Sequence, residues 1–329
     1  MSWVLDNHPL IIQKLSASER LDCGNEVYLL REDQIPVALG GNKVRIAAEF
    51  IRDMYAQDAN ALIMYGDRRS NLCRVLALAC KAEQIPCLMI TTSGPSTVPA
   101  FNERIITGLD VDIIQCEQGS IADAVDEAQE RFANLGYRPY YIYGSRLGTG
   151  NEGTAANAYA NVYKQILAWE DEHQVAFDII VLPYGTGATQ GGLVAGSLAA
   201  RDNREIIGIS ISSRTPQRAI SILADSVASW FDKEGLDCPA DYLKALHLEC
   251  GYNCGGYGVP DQRVDETIRL MLQYAAIPLD PVYSGKAFLG MRDYLHDNDV
   301  RDKRILFVHT GGLPIFFDHL GTLYKENSC

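Results

Sequence analysis

The sequence of 329 residues has no long apolar run and no basic start followed by an apolar segment. Its longest strongly apolar stretch, residues 175–183, is far shorter than the roughly 20 residues that a membrane-spanning helix needs. Residues 1–15 carry Asp6 and His8 and do not have the pattern of a signal peptide. We therefore expect a cytoplasmic protein with no membrane partner.

Basic charge is also scarce in this chain. It contains 29 Lys and Arg residues against 42 Asp and Glu, a formal net charge of −13 at pH 7. Because proteins bind nucleic acids largely through the phosphates, we expect no nucleic-acid partner. A small anionic ligand would need a local positive field, built from a few cations, backbone N–H groups or helix N-termini.

The cysteines indicate neither a disulfide framework nor a metal site. There are nine, an odd number at irregular spacings in a long chain, so free thiols are expected. Cys250 and Cys254 have no second pair at the spacing of a zinc site, and no metal is predicted.

Short apolar runs alternate with longer stretches of helical periodicity, which predicts an α/β fold with open, mostly parallel sheets. The predicted strands are 61–65, 86–90, 111–114, 140–143, 178–183, 205–211 and 304–309. The predicted helices are 43–57, 70–83, 121–135, 154–173, 190–202 and 265–276. Ligands of such folds bind at the carboxyl ends of strands, where four segments of this chain carry candidate chemistry.

The first segment is Gly40-Gly41-Asn42-Lys43, directly before a predicted helix. A helix N-terminus tends to lower the pKa of a lysine, and a neutral amine is what Schiff-base chemistry requires. The alternative is a glycine turn followed by a solvated lysine.

The second segment, Gly185–Gly192, follows a buried strand and opens a helix. Its small residues, threonine hydroxyls and helix N-terminus predict a phosphate-binding loop. The spacing matches neither the dinucleotide-binding fingerprint nor the Walker loop. The alternative is a turn that is kept small for packing of the helix on the sheet.

The other two segments are weaker signals. Ser70-Asn71 opens a predicted helix, where such residues cap the helix or bind a carboxylate or ring hydroxyl. Near the C-terminus, Tyr283 is a candidate proton donor, and Ser284 or Thr310 could hydrogen-bond a heterocyclic nitrogen. The alternative for Tyr283 is a packed turn residue.

Taken in order along the chain, these segments resemble the pyridoxal-phosphate (PLP) enzymes of the tryptophan synthase β fold type. Within them, the chain is similar to the group of D-cysteine desulfhydrase and 1-aminocyclopropane-1-carboxylate (ACC) deaminase. The resemblance runs from 21–31 to 309–312 and includes Tyr257-Gly258-Val259-Pro260. It implies a two-domain enzyme, with a large domain of residues 1–47 and 161–329 and an inserted small domain of residues 48–160. It also implies a homodimer.

The resemblance assigns roles to individual residues. Lys43 would hold PLP covalently and shuttle the Cα proton, Asn71 would bind the ring oxygen, and Ser70 would meet the substrate carboxylate. Tyr257 and Tyr283 would face the substrate. The residues that would cradle the phosphate are Gly185, Thr186, Gly187, Ala188 and Thr189.

Two departures from the group bear on the substrate. ACC deaminases carry a glutamate where this chain has Ser284, and a neutral hydroxyl there favours β-elimination over opening of a cyclopropane ring. Arg69 and Leu72 stand where the family usually has Gln and His. Arg69 therefore suggests a substrate with a second anionic group, with a solvated surface residue as the alternative.

The sequence thus predicts a PLP-dependent lyase for a small amino acid, with D-cysteine desulfhydrase activity favoured. ACC deaminase is the alternative within the same family. A protein that kept the PLP fold only to bind a ligand is the alternative from another class.

Overall fold

The computed structural model of the chain describes residues 8–16, 21 and 23–324. Residues 1–7, part of the predicted large domain and of the segment weighed as a signal peptide, lie outside the described residues. No helix in the described ranges is long and apolar enough to cross a membrane.

The described residues form ten strands and ten α-helices in an α/β arrangement, which confirms the predicted fold class. The elements in chain order are β1 (Ile12–Lys14), β2 (Glu26–Arg31), α1 (Lys43–Ala56), β3 (Ala61–Tyr65), α2 (Asn71–Ala82), β4 (Cys87–Thr91), α3 (Phe101–Gly108), β5 (Asp112–Gln115), α4 (Ile121–Asn134), β6 (Pro139–Tyr141), α5 (Glu152–His173), β7 (Ile179–Tyr184), α6 (Ala188–Ala200), β8 (Glu205–Ser210), α7 (Pro216–Lys233), β9 (His247–Glu249), α8 (Gln262–Ala275), α9 (Ser284–Asp297), β10 (Arg304–His309) and α10 (Leu313–Leu323).

The strands form two separate sheets. The larger sheet has the order β1-β2-β10-β7-β8-β9, and the smaller sheet has the order β5-β4-β3-β6. All neighbours are parallel except β1 and β2. The central strands are buried on both faces, as their continuous apolar sequences require. The parallel arrangement brings the carboxyl ends of β2, β7, β8 and β10 to one edge of the larger sheet.

One buried apolar cluster joins the two sheets. It contains Leu62 and Met64 of the smaller sheet together with Ile180 and Leu182 of the larger one. The predicted limits of the inserted domain, residues 48 and 160, fall inside α1 and α5. The domain limits stay a prediction.

All predicted strands and helices are present, 61–65 and 304–309 with the predicted ends and the others with ends shifted by one to three residues, but several elements were not predicted. β9 has only three residues, which is too short for a period to be read. α7 begins with Pro216 after Thr215, whose hydroxyl accepts from the Arg218 N–H. A Thr-Pro pair is a sequence signal for the start of a helix, and it could have predicted α7.

Candidate active site

A cavity of about 1240 Å³ lies between the two sheets, at the carboxyl ends of their strands. This volume exceeds that of a typical small-molecule pocket and is large enough for a cofactor and a substrate. Eleven of the predicted site residues line it: Lys43, Ser70, Asn71, Gly185, Thr186, Gly187, Ala188, Thr189, Tyr257, Tyr283 and Thr310.

Lys43 is the first residue of α1, and the glycines before it make the turn possible. Gly41 has φ +98°, and a Cβ atom there would lie 3.0 Å from the Thr310 carbonyl oxygen. The Gly41 N–H donates to the Glu32 carbonyl at 2.8 Å, and the Asn42 N–H donates to the Thr310 carbonyl at 3.1 Å. The start of α1 is therefore tied to the segment after β10.

The environment of the Lys43 amine increases the fraction of the amine that is neutral near pH 7. Burial lowers its pKa to about 8 from the ordinary 10.5, because the ammonium loses hydration. This physical cause differs from the helix dipole that the sequence suggested. The amine has no hydrogen-bond or ion-pair partner among the described residues. At pH 7 about a tenth of such an amine is neutral, against less than about one part in a thousand for an ordinary lysine.

This pKa predicts how the rate of covalent PLP attachment depends on pH. Only the neutral amine attacks an aldehyde, so we expect the rate to rise about tenfold per pH unit below pH 8 and to level off above about 8. Mixing cofactor-free protein with PLP from pH 6 to about pH 10 and following the absorbance measures this rate. With Nα-acetyl-lysine as the control amine, the rate should keep rising to about pH 10.5. A protein rate that also rises to that pH would contradict the prediction.

The loop from Gly185 to Thr189, the predicted phosphate-binding residues, joins β7 to α6 and lines the cavity. The first N–H groups of α6, which begins at Ala188, have no intrahelical acceptor and carry the positive end of the helix dipole. Thr189 Oγ1 accepts from Asn42 Nδ2 at 2.9 Å, a buried contact that fixes the loop next to Lys43. Arg214 Nη1 donates to the Gly185 carbonyl at 2.7 Å. Neither Asn42 nor Arg214 was assigned a role from the sequence.

The last two glycines of the predicted loop serve helix packing instead. A Cβ atom on Gly192 would lie 2.1 Å from the Ala156 carbonyl oxygen of α5, and one on Gly191 would lie 2.3 Å from Ser226 Oγ of α7. These glycines therefore allow α6 to approach its neighbours closely. The packing alternative therefore accounts for Gly191 and Gly192, and phosphate binding by Gly185–Thr189 stays a prediction.

Ser70 and Asn71 stand at the start of α2. Ser70 Oγ accepts from the Cys73 N–H at 3.2 Å, which makes Ser70 the helix cap. Asn71 Oδ1 accepts from Asn102 Nδ2 at 2.9 Å, and Asn102 Nδ2 also donates to the Arg69 carbonyl at 2.8 Å. Because Asn102 takes the oxygen of the Asn71 amide, the Asn71 NH2 group is the donor left for a ligand. No sequence signal marked Asn102.

Tyr257 and Tyr283 form a pair on the cavity wall. Their hydroxyl oxygens lie 3.0 Å apart, and their rings meet edge to face with centroids 5.8 Å apart. Burial raises the pKa of the Tyr283 phenol well above its usual value and also raises the pKa of Tyr257. Both phenols are therefore neutral near pH 7 and able to donate a proton.

The structure does not bring Ser284 and Arg69 to the cavity lining. The Ser284 hydroxyl is fully buried and donates to Asp280 Oδ2 at 2.6 Å, so it has no proton left to donate to a ring nitrogen. The Arg69 side chain is 68% exposed and lies 3.7 Å from Asp67 Oδ1. Ser284 and Thr310 were both candidates to hydrogen-bond the nitrogen of a heterocyclic ligand. Of the two, only Thr310 lines the cavity.

Asp280 organises the turn before α9 and was not singled out in the sequence. Its carboxylate accepts from the Val282 N–H at 2.9 Å, the Tyr283 N–H at 2.7 Å, and both the N–H and hydroxyl of Ser284. Burial nevertheless raises the pKa of this carboxyl. These four donors fix the backbone of Tyr283 and account for the position of Ser284.

We expect Asp280→Ala to lower the free energy of unfolding by about 3 kcal/mol, because four buried donors lose their acceptor. Asp280→Asn should cost less, since it keeps an acceptor oxygen. Urea denaturation of the two variants, with Asp232→Ala at an exposed position as control, measures the difference. Equal stability of Asp280→Ala and the wild type would contradict this account.

Comparison with known proteins shows the family to which the chain belongs. A family profile described as pyridoxal-phosphate dependent enzyme matches residues 8–311. The chain belongs to this family. Proteins similar to it include the D-cysteine desulfhydrase of Yersinia pestis (strain Pestoides F), which is 29% identical over 307 residues that cover 89% of this chain and 88% of the relative.

Two solved structures have a similar fold. An ACC deaminase homologue superposes with a TM-score of 0.83 at 25% identity, covering 97% of this chain and 94% of its own. O-ureido-L-serine synthase superposes with a TM-score of 0.68 at 16% identity, covering 99% and 96%, and shows the fold alone. The predicted fold type and cofactor are thereby confirmed.

The residues present in the cavity fit PLP. Lys43 supplies a desolvated amine that has no partner within the described ranges, and Gly185–Thr189 supplies a helix N-terminus for the phosphate. The Asn71 amide and the Thr310 hydroxyl supply donors on the same wall. Among the residues that the structure describes, no three His, Cys, Asp or Glu side chains come together to hold a metal.

Proposed function

We propose that this PLP enzyme is a lyase that converts D-cysteine and water to pyruvate, ammonia and hydrogen sulfide by β-elimination. The observation that carries the proposal is the tyrosine pair on the wall of the cavity that holds the Lys43 amine. A β-elimination needs a base at Cα and a proton donor for the leaving group, and these side chains supply both. The D-cysteine desulfhydrase name of the relative supports the choice of substrate.

Bound PLP supplies the electron sink that stabilises negative charge at Cα. The Lys43 amine takes the Cα proton, for which its lowered pKa of about 8 suits it near neutral pH. The neutral phenol of Tyr283, hydrogen-bonded to Tyr257, gives a proton to the departing sulfur. Ser70 orients the substrate carboxylate, and Asn71 orients the cofactor ring. Thr310 presents a neutral hydroxyl to the ring nitrogen.

The test is the release of 2-oxo acids from a panel of D-cysteine, L-cysteine and ACC by the protein loaded with PLP. Pyruvate and sulfide from D-cysteine, with neither product from the Lys43→Ala variant, are expected. Release of 2-oxobutyrate from ACC without sulfide from D-cysteine would identify an ACC deaminase. PLP binding without turnover of any amino acid would favour the ligand-binding alternative.

A second candidate substrate class is an amino acid with an anionic side chain. Arg214 and Arg218 line the cavity, stand just before and within the first turn of α7, and make no ion pair with a described carboxylate. They provide the local positive field that a chain of net charge −13 needs for a second anion. They replace Arg69, the residue that the sequence suggested for this role.

Cysteate tests this second candidate, since it differs from cysteine by its sulfonate. We expect Arg218→Gln to raise the KM for D-cysteate about tenfold and to leave the KM for D-cysteine unchanged. Arg131→Gln on exposed α4 is the control. Equal effects on the two substrates would show that Arg218 does not bind the sulfonate.

A cytoplasmic location and a homodimer belong to the same proposal. The eight cysteines within the described residues are all free thiols, which supports a reducing compartment. The homodimer is supported by resemblance only, and light scattering of the purified protein tests it.

A further inference from the structure

Lys286 has a fully buried ammonium group that is bound by backbone carbonyls. It lies in the first turn of α9, and its side chain has no exposed surface. Nζ donates to the carbonyls of Cys254 at 3.1 Å, Asn253 at 3.4 Å and Gly256. No described carboxylate lies at ion-pair distance. Burying a charge is costly unless its surroundings compensate it, and three carbonyl dipoles do so here.

The turn that supplies these carbonyls has an unusual backbone. Cys254, Gly255 and Gly256 have φ values of +49°, +79° and +105° in succession. A left-handed conformation is uncommon for a residue with a side chain, and persists where other contacts fix it. The ammonium of Lys286 is such a contact, because it binds three of the four carbonyls from Asn253 to Gly256.

This turn leads directly into Tyr257. The Tyr257 side chain is 50% exposed, and its hydroxyl meets that of Tyr283 at 3.0 Å. With half of its surface free, Tyr257 depends on its backbone for its position. Tyr283 stands immediately before α9, the helix that carries Lys286. Lys286 therefore links the turn that bears one tyrosine to the helix that follows the other.

We propose that Lys286 is a positioning residue that keeps the Tyr257 hydroxyl against Tyr283 by binding the carbonyl oxygens of Asn253, Cys254 and Gly256. Its effect on catalysis rests on the proposed function, because that function gives the tyrosine pair its role. Its effect on the turn does not depend on that function. The two effects are measured separately.

The catalytic effect is tested with Lys286→Met, which removes the ammonium and keeps most of the buried volume. We expect kcat for D-cysteine to fall by about tenfold or more, with a KM change below about threefold. In a Tyr257→Phe background the same substitution should cost less than about twofold, because Lys286 acts through the Tyr257 hydroxyl. If the fold-losses in kcat of the two single variants instead multiplied in the double variant, the positioning role would be overturned. A Tyr257→Phe enzyme with full kcat would instead refute the function proposed for the tyrosines.

The effect on the turn is tested by amide hydrogen exchange, which needs no substrate. The N–H groups of Gly255 and Gly256 donate to the side chain and carbonyl of Asn253 at 3.1 and 3.0 Å. In Lys286→Met we expect exchange in a peptide spanning 250–260 to be about tenfold faster, with the rest of the chain unchanged. Lys244→Met, at an exposed lysine, is the matched control. Unchanged exchange in this peptide would overturn the proposal.

A second variant covers the case in which Lys286→Met does not fold. Lys286→Ala leaves room for a small cation, so protein purified in ammonium chloride should keep slow exchange in residues 250–260. Transfer to tetramethylammonium chloride of the same ionic strength, whose cation is too large for the vacated space and has no N–H to donate, should speed that exchange. Exchange that is the same in both salts, or a failure to fold in both, would count against a cation held by the three carbonyls.

Discussion

Lys43→Ala is expected to lose covalent PLP attachment and to lower turnover of D-cysteine by at least about a thousandfold, while the fold stays intact. The amine is the group in the cavity whose pKa is lowered to about 8, and it is the base that the proposed elimination uses. Its side chain makes no hydrogen bond within the described part of the chain, so its removal breaks no structural contact. The visible absorbance of the PLP-loaded protein, borohydride trapping followed by mass spectrometry, and pyruvate release together measure the effect.

Two controls make this result specific to Lys43. Lys164→Ala removes an exposed lysine from α5 and should keep the absorbance and the activity. Non-covalent PLP should still bind to Lys43→Ala, since the cradle at Gly185–Thr189 is unchanged. A Lys43→Ala protein that still traps PLP under borohydride would show that another lysine carries the cofactor.

The sequence was most informative where chemistry and local backbone coincide. Lys43, Asn71 and Thr189 each stand at or just inside the start of a helix that follows a turn or a strand. Parallel strands bring such positions to one edge, so residues far apart in sequence could be placed in one cavity in advance. The family resemblance predicted the roles of these residues, and their positions after turns and strands predicted that they lie in one cavity.

Contacts between side chains that are far apart in the chain could not be predicted from the sequence. Asn102 reaches Asn71 across 31 residues, and Asn42 reaches Thr189 across 147. Ser284 shows the opposite case. The sequence alone predicts that its hydroxyl is available to a ligand, but in the structure the hydroxyl donates to the Asp280 carboxylate four residues earlier. Periodicity and motif spacing say which elements form, whereas the partner of one buried polar group depends on the packing of all of them.

Gly191 and Gly192 show why the reason for a small residue cannot be determined from the sequence alone. The sequence offers a continuous run of small residues from Gly185 to Gly192, and both an anion cradle and close helix packing favour small residues. Only the positions of Ala156 on α5 and Ser226 on α7 separate the two reasons. Those positions depend on how α5, α6 and α7 cross, which no local pattern encodes.

Tyr283→Phe is expected to lower kcat for D-cysteine by about a hundredfold to ten-thousandfold, the usual range for loss of a general acid. The substitution removes one oxygen from a ring that lies 3.7 Å from the ideal Cβ position of Gly185, so the packing against the phosphate cradle stays. PLP attachment and the KM should change little, because neither depends on the hydroxyl. Steady-state kinetics with sulfide detection measure the split between kcat and KM.

The pH dependence of the wild type bears on the same phenol. Since burial raises the pKa of Tyr283 well above its usual value, the phenol keeps its proton as the pH rises from 7 to 9. Loss of the phenol proton should therefore cause no alkaline fall in activity below about pH 10. For Tyr283→Phe, the matched control is Tyr137→Phe, at a tyrosine that is not among the residues lining the cavity. A Tyr283→Phe enzyme with the kcat of this control would remove Tyr283 from the proton path and leave Tyr257 as the remaining phenol that could protonate the departing sulfur.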